Sequence, residues 1–104
     1  MDNIVAIVDR NYLQISGNTE KVMKLEPLEE KWRSFGWEVV STNGNDIEDL
    51  VEAFSSVPPV KGKPTVIIAY TVKGKGVSFM ENNPKWHHGV PSKQQFEQAV
   101  AELT

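Results

Sequence analysis

Apolar and polar positions alternate along the chain in blocks that read as strand, helix, strand, helix, strand and helix. Ile4, Val5, Ala6, Ile7 and Val8 form a continuous apolar run, the pattern of a parallel strand buried on both faces, and polar Asp9 and Asn11 follow at its carboxyl end. Pro27 suits the first turn of a helix, Leu28, Trp32 and Phe35 recur on one face, and Gly36 is a natural stop. A second strand is expected over Trp37 to Val40, followed by a turn at Asn43-Gly44. Asn45 or Asp46 then caps a helix with the stripe Ile47, Leu50, Val51 and Phe54, which Pro58 and Pro59 end. Thr65 to Tyr70 reads as a third strand. The last helix begins at Ser92, where Ser92 and Gln95 have capping-box spacing and Phe96, Val100 and Leu103 are expected to form the buried face.

Strands alternating with helices across short joins predict an α/β fold: a three-layer arrangement in which a parallel sheet is flanked by helices. Right-handed crossovers place the three strands in one sheet. At 104 residues the expectation is a single α/β domain over 1–104, with one core and no internal repeat. Trp32 and Trp37, on either side of Gly36, are read as packing residues.

Composition narrows the function classes. With no cysteine, neither a disulfide framework nor a thiolate metal site is available, and the cytoplasm is the expected location. There is no charged-then-apolar leader and no long apolar stretch, so neither secretion nor a membrane partner is expected. A net charge of −3 argues against nucleic acid. That charge is unevenly spread: between Glu52 and Glu81 there is no acidic residue, while Lys61, Lys63, Lys73 and Lys75 fall in the interval.

Two places carry candidate chemistry. Open parallel sheets bind ligands at the carboxyl ends of their strands, where Asn11 and the carbonyl of Leu13 are hard neutral donors suited to one Mg²⁺; taken on its own, Asp-x-Asn is better explained as a turn satisfied by its own polar side chains. Lys73-Gly74-Lys75-Gly76 follows the third strand, and its glycines allow backbone N–H groups to approach an anion such as a diphosphate; a lysine-rich surface turn is the alternative. In Trp86-His87-His88-Gly89-Val90-Pro91, neither histidine has metal-ligand spacing to a second His, Cys or paired carboxylate.

Four segments in order, VDRNYLQISG from Val8, LEPLEEKWRSFGWEV from Leu25, GKPTVIIAYTVKGKGVSFMENN from Gly62 and WHHGVP from Trp86, resemble transketolase. The similarity covers nearly the whole chain and is to the C-terminal half of the thiamine-diphosphate-binding domain, as in enzymes split into N-terminal and C-terminal subunits. It implies thiamine diphosphate and Mg²⁺ as cofactors of the complete enzyme, with Asn11 and Leu13 on the metal, Ile15 against the cofactor ring and Lys73 near its thiazole-diphosphate end. The histidine before Gly-x-Pro, here His88, is implied to contact the diphosphate and the sugar and to assist proton transfer; His87 is outside that register. The implied reaction moves a two-carbon ketol unit between sugar phosphates, as in the pentose phosphate pathway.

The Gly-Asp-Gly motif that precedes the asparagine in this family is absent from these residues, and the glutamate that activates the cofactor's pyrimidine ring belongs to another domain. The expected partners are therefore the remaining transketolase domains or subunits, including the pyrimidine-binding one, in a dimeric assembly, with the chain inactive alone. A non-catalytic α/β interaction domain of this fold, or part of a deoxyxylulose-phosphate synthase-like enzyme, is the alternative. Ser16 replaces an aspartate usual before Gly17 and Asn45 a histidine common after Gly44, departures that bear on substrate preference.

Overall fold

A computed structural model describes residues 1–104, which divide into two compact units, residues 1–10 with 24–71 and residues 11–23 with 72–104. The first unit is built on a parallel sheet of three strands, β1 (Val5–Arg10), β4 (Glu38–Asn43) and β5 (Thr65–Tyr70), in the order β1-β5-β4. Central β5 pairs with both neighbours, Thr65 facing Val5 and Glu38, and Tyr70 facing Arg10 and Asn43, so the carboxyl ends of the three strands are level. Thr65 to Ala69 are all buried, which makes β5 the centre of the core. Its β-branched residues suit that place because they pack against a pleated surface on both sides.

Two helices flank the sheet, α2 (Leu28–Ser34) and α3 (Ile47–Ser55), and both pack against β4. Asp46 caps α3 by accepting from the backbone N–H of Glu48 and of Asp49. Glu29 ties α2 to the sheet: its carboxylate accepts from Ser41 Oγ at 2.6 Å, Tyr70 OH at 2.9 Å and Arg33 Nη2 at 2.9 Å. Those donors, Ser41 and Tyr70 foremost, hold the Glu29 carboxyl below its ordinary range. Trp32 and Trp37 meet edge to face at 5.0 Å, the packing role expected of them.

Several expected elements shift. The second strand runs from Glu38 to Asn43, beyond Trp37 to Val40, because Ser41, Thr42 and Asn43 continue the ladder with β5. Pro27 stands just before the first turn of α2, and Phe35 lies past its last turn, 83% exposed, so it is not part of a buried face. Nor is β1 buried on both faces: Ile7 is 57% exposed and Val5 is also exposed, because β1 is an edge strand and the helices lie over β4. In α3 the row that turns inward is half-buried Leu50 and buried Ala53, three residues apart; Ile47, Val51 and Phe54 face solvent, Ile47 at 74% exposure.

The second unit holds what the periodicity did not announce. A two-stranded antiparallel hairpin, β2 (Leu13–Gln14) and β3 (Gly17–Asn18), turns at Ile15-Ser16 and leads into the one-turn helix α1 (Thr19–Val22), which Asn18 caps. After β5 the chain forms a turn-rich loop, a 3-10 helix at Pro84–His87, and α4 (Lys93–Leu103). The capping box at Ser92 and Gln95 is present as expected. The expected buried face of α4 is not: Phe96, Val100 and Leu103 are exposed, Phe96 at 59%. Polar contacts tie α4 to the loop before it: Glu102 accepts from Ser78 N–H at 2.6 Å and from Ser78 Oγ at 2.7 Å. No helix is long and apolar enough to cross a membrane.

Candidate functional site

The segment after β1 is short and polar, and its backbone groups must find local partners. Asn11 Oδ1 accepts the backbone N–H of Leu13 at 2.8 Å, closing an Asx turn. Between them Tyr12 takes φ 61, a left-handed conformation rare for a bulky residue, and its carbonyl accepts from Thr19 N–H at 2.8 Å. The turn is thus held at both ends. It gives substance to the local reading of Asp-x-Asn, and it leaves the second lone pair of the amide oxygen available.

The loop after β5 closes on itself. Lys73 carbonyl accepts from Asn82 N–H at 2.9 Å, and a Cβ on Gly74 would stand 2.8 Å from the backbone of Met80, at φ +72. Gly76 N–H donates to Glu81 Oε1 at 3.0 Å, and Lys75 Nζ lies 3.9 Å from the same oxygen. The amides of Lys75 and Gly76 therefore serve the loop's own closure instead of cradling a ligand. Glycine is needed here for close approach and positive φ.

Asn11, Leu13 and Lys73 nevertheless come together. With Gln14, Pro84 and His87 they line one small polar cavity of about 40 Å³ within the second unit. That volume seats about one water-sized group. It fits a single phosphate oxygen or a small cation better than a whole diphosphate. No acidic side chain lines it. Its protein oxygens are neutral, and no three His, Cys, Asp or Glu side chains gather elsewhere as a metal cage. Neutral oxygen donors suit a hard cation that shares its shell with phosphate oxygens, so these residues fit one part of a metal–diphosphate site.

Ile15 and His88 lie outside the cavity lining. Ile15 is at the hairpin tip, 64% exposed. His88 follows the 3-10 helix at φ −146 and ψ 20, and its ring stands edge-on to that of His87 at 5.8 Å. Sequence reasoning passed over His87 and Pro84 as lining residues. Their three-residue spacing carries the signal: in a 3-10 helix residues i and i+3 eclipse, and Asn83-Pro84 marks where that helix begins. A larger cleft in the first unit, about 650 Å³ between β4 and α3, is lined by Ser41, Asn43, Asp49, Glu52 and their neighbours and gathers none of the expected residues.

Known proteins bear on the same residues. Residues 1–103 match the family model described as transketolase, thiamine diphosphate binding domain. An apulose-4-phosphate transketolase subunit from Phocaeicola vulgatus is 52% identical over 104 residues, covering all of this chain and 37% of that protein. A 6-deoxy-6-sulfo-D-fructose transketolase subunit from a Clostridium species is 41% identical over 103 residues, covering 99% of this chain and 38% of its own length. Among solved structures, a transketolase from Campylobacter jejuni superposes with a TM-score of 0.85 at 30% identity, over 97% of this chain and 16% of that one. The chain thus spans little more than a third of the two relatives it matches. By sequence and by fold, it belongs to the transketolase thiamine diphosphate-binding domain family.

Proposed function

We propose that this chain supplies the C-terminal half of the cofactor domain of a transketolase-type enzyme, which moves a two-carbon ketol unit between sugars that carry a terminal anion. The observation that supports this most directly is the meeting of Asn11 and Leu13 with Lys73, sixty residues apart in sequence, at one small polar cavity. Thiamine diphosphate, when bound, supplies the capacity to cleave and form the carbon–carbon bond. The chain's own residues hold and orient its phosphate end: Asn11 and the Leu13 carbonyl contribute to a Mg²⁺ shell, and Lys73 balances phosphate charge. Ile15 packs on the cofactor ring and keeps water from it. His88 contacts the substrate and moves a proton to or from a sugar hydroxyl, work for which imidazole is suited near neutral pH.

The rest of the site, including the pyrimidine-binding part, comes from residues beyond these 104, and the chain alone is inactive. The relatives' names extend the substrate class. One acts on a 4-phosphate sugar and another on a 6-sulfo sugar, and Ser16 and Asn45 are where this chain departs from the usual pattern. A ketose ending in phosphate or sulfonate is accordingly the donor we assign. The test is assembly: the chain is produced with the segments its longer relatives carry outside the matched region, and ketol transfer is followed by product analysis. Transfer that requires both thiamine diphosphate and Mg²⁺ is expected. No transfer from any phosphorylated or sulfonated ketose by a correctly assembled protein would overturn the reading.

A further inference from the structure

Arg10 puts a charge where an apolar side chain would be expected. It is the last residue of β1 and the largest fully buried side chain of the protein, only 2% exposed. Taking a guanidinium out of water is costly unless it is paired and hydrogen-bonded. Glu26, sixteen residues on and just before α2, supplies a pairing: its Oε1 accepts from Arg10 Nη2 at 2.8 Å and from Arg10 Nε at 3.2 Å. The other carboxylate oxygen accepts the Leu28 backbone N–H at 3.1 Å, so one group both starts α2 and holds the end of the strand.

The backbone is fastened at the same point. Arg10 carbonyl accepts from Thr71 N–H at 3.3 Å, and Thr71 Oγ1 donates to the Asp9 carboxylate. Arg10 is the residue before Asn11, and Thr71 ends the first unit two residues before Lys73. The segments that supply Asn11 and Lys73 therefore leave the sheet from one clasp, which Arg10 and Glu26 tie to the start of α2. An apolar residue would fill the buried position at a lower desolvation cost, whereas the planar guanidinium fork gives direction. We propose that Arg10, held by Glu26, is a positioning residue that fixes the point and direction from which the Asn11 turn leaves β1. Arg10 does not line the cavity; it acts through Asn11, whose side-chain oxygen is set by the Leu13 N–H at 2.8 Å. Its bearing on the cofactor rests on the reading of Asn11 as a metal ligand, and its bearing on the turn does not.

The test reads the turn first and the enzyme second. In the full chain without cofactor, NMR order parameters of the Tyr12 and Leu13 amides report motion within the folded state, which a loss of global stability does not change. Arg10→Met and Glu26→Ala are each expected to lower them from the rigid range of about 0.85 to about 0.6. Glu26→Gln keeps an acceptor oxygen and is expected to stay near wild type. Glu29→Gln loosens α2 from the sheet without touching Arg10 and is expected to leave the turn rigid. In the assembled enzyme, Arg10→Met and Glu26→Ala should raise the thiamine diphosphate needed for half-maximal rate about tenfold, with kcat at saturating cofactor within a few-fold of wild type. The Glu26 side chain is 46% exposed, so its variants decide the matter if Arg10→Met does not fold. A turn already mobile in the wild type, a rigid turn in folded Glu26→Ala, equal loosening in Glu29→Gln, or unchanged cofactor affinity in an active assembly would each overturn the proposal. A turn loosened as expected, beside a wild-type assembly without ketol transfer, rejects the enzymatic reading and keeps this one. Ketol transfer by the wild type, with the turn unmoved in the variants, does the reverse.

Discussion

Asn11 holds Leu13 directly: its side-chain oxygen accepts the Leu13 backbone N–H at 2.8 Å, and both residues line the cavity that also includes Lys73. One hydrogen bond therefore shapes the turn and orients an oxygen that a metal can share. Asn11→Ala is expected to destabilise the fold by about 1 kcal/mol through loss of that bond. In the assembled enzyme it should weaken Mg²⁺-dependent thiamine diphosphate binding by at least about tenfold. Denaturant melts and fluorescence titrations read the two effects separately, and a stability loss with unchanged cofactor affinity would leave Asn11 as a turn residue alone.

His88→Ala tests the assignment of proton transfer. A loop imidazole beside Gly89 buries little apolar area, so the melting midpoint should move by no more than about half a kcal/mol in stability. Turnover of the assembled enzyme with sugar phosphates should fall on the order of a hundredfold. A large loss of stability with turnover intact would make His88 structural.

Glu29 sets an acid limit on stability. Hydrogen bonds from Ser41, Tyr70 and Arg33 favour its ionised form and depress its folded-state pKa below the unfolded one. The stabilisation is therefore fully present above the unfolded pKa of about 4.3 and is lost as pH falls through the lower folded value. Glu29→Gln should cost about 1 kcal/mol at neutral pH and flatten this part of the acid limb, as read from denaturant midpoints between about pH 7 and 3. A variant with the wild-type pH profile would show that the three donors find water equally well.

Gly74→Ala separates a glycine required by structure from one merely tolerated. Its Cβ would meet the Met80 backbone at 2.8 Å while the residue holds φ +72, so clash and backbone strain add. About 2 kcal/mol or more of destabilisation is expected, against a few tenths for Lys75→Ala on the exposed ion pair beside it. Thermal melts of both variants decide it.

Phe96→Ala should cost less than about 1 kcal/mol, where a buried phenylalanine costs about 3–5. Its ring is more than half exposed on α4, and Glu102 ties that helix to Ser78. Binding of a hydrophobic dye to the wild-type chain, reduced in Phe96→Ala, is the companion measurement.

The periodicity of the chain located all three sheet strands and the principal helices, because Thr65 to Tyr70 and the Ile47 stripe are strong signals of period and type. It misjudged what those apolar rows face. Ile7, Ile47 and Phe96 look like core in one dimension, yet burial depends on which neighbour covers a face, and periodicity carries no record of that. The hairpin at Leu13–Asn18 went unseen because strands of two residues have no period. At the site, motif similarity picked out Asn11, Leu13 and Lys73, and the structure brings these three together. His87 was passed over because its place depends on a 3-10 turn, which is legible only once Asn83-Pro84 is recognised as the start of a helix.

The burial of β5 between two parallel neighbours implies an order in which the backbone opens. Amides of Val66 to Ala69, bonded within the sheet and screened from water, should exchange with deuterium only when the whole first unit unfolds. Those of the hairpin, two residue pairs long, should exchange through small local openings. Leu13 and Ile15, two of the residues assigned to the cofactor, thus lie on the quickly exchanging part of the chain, and a bound phosphate would be felt first as slower exchange around Leu13.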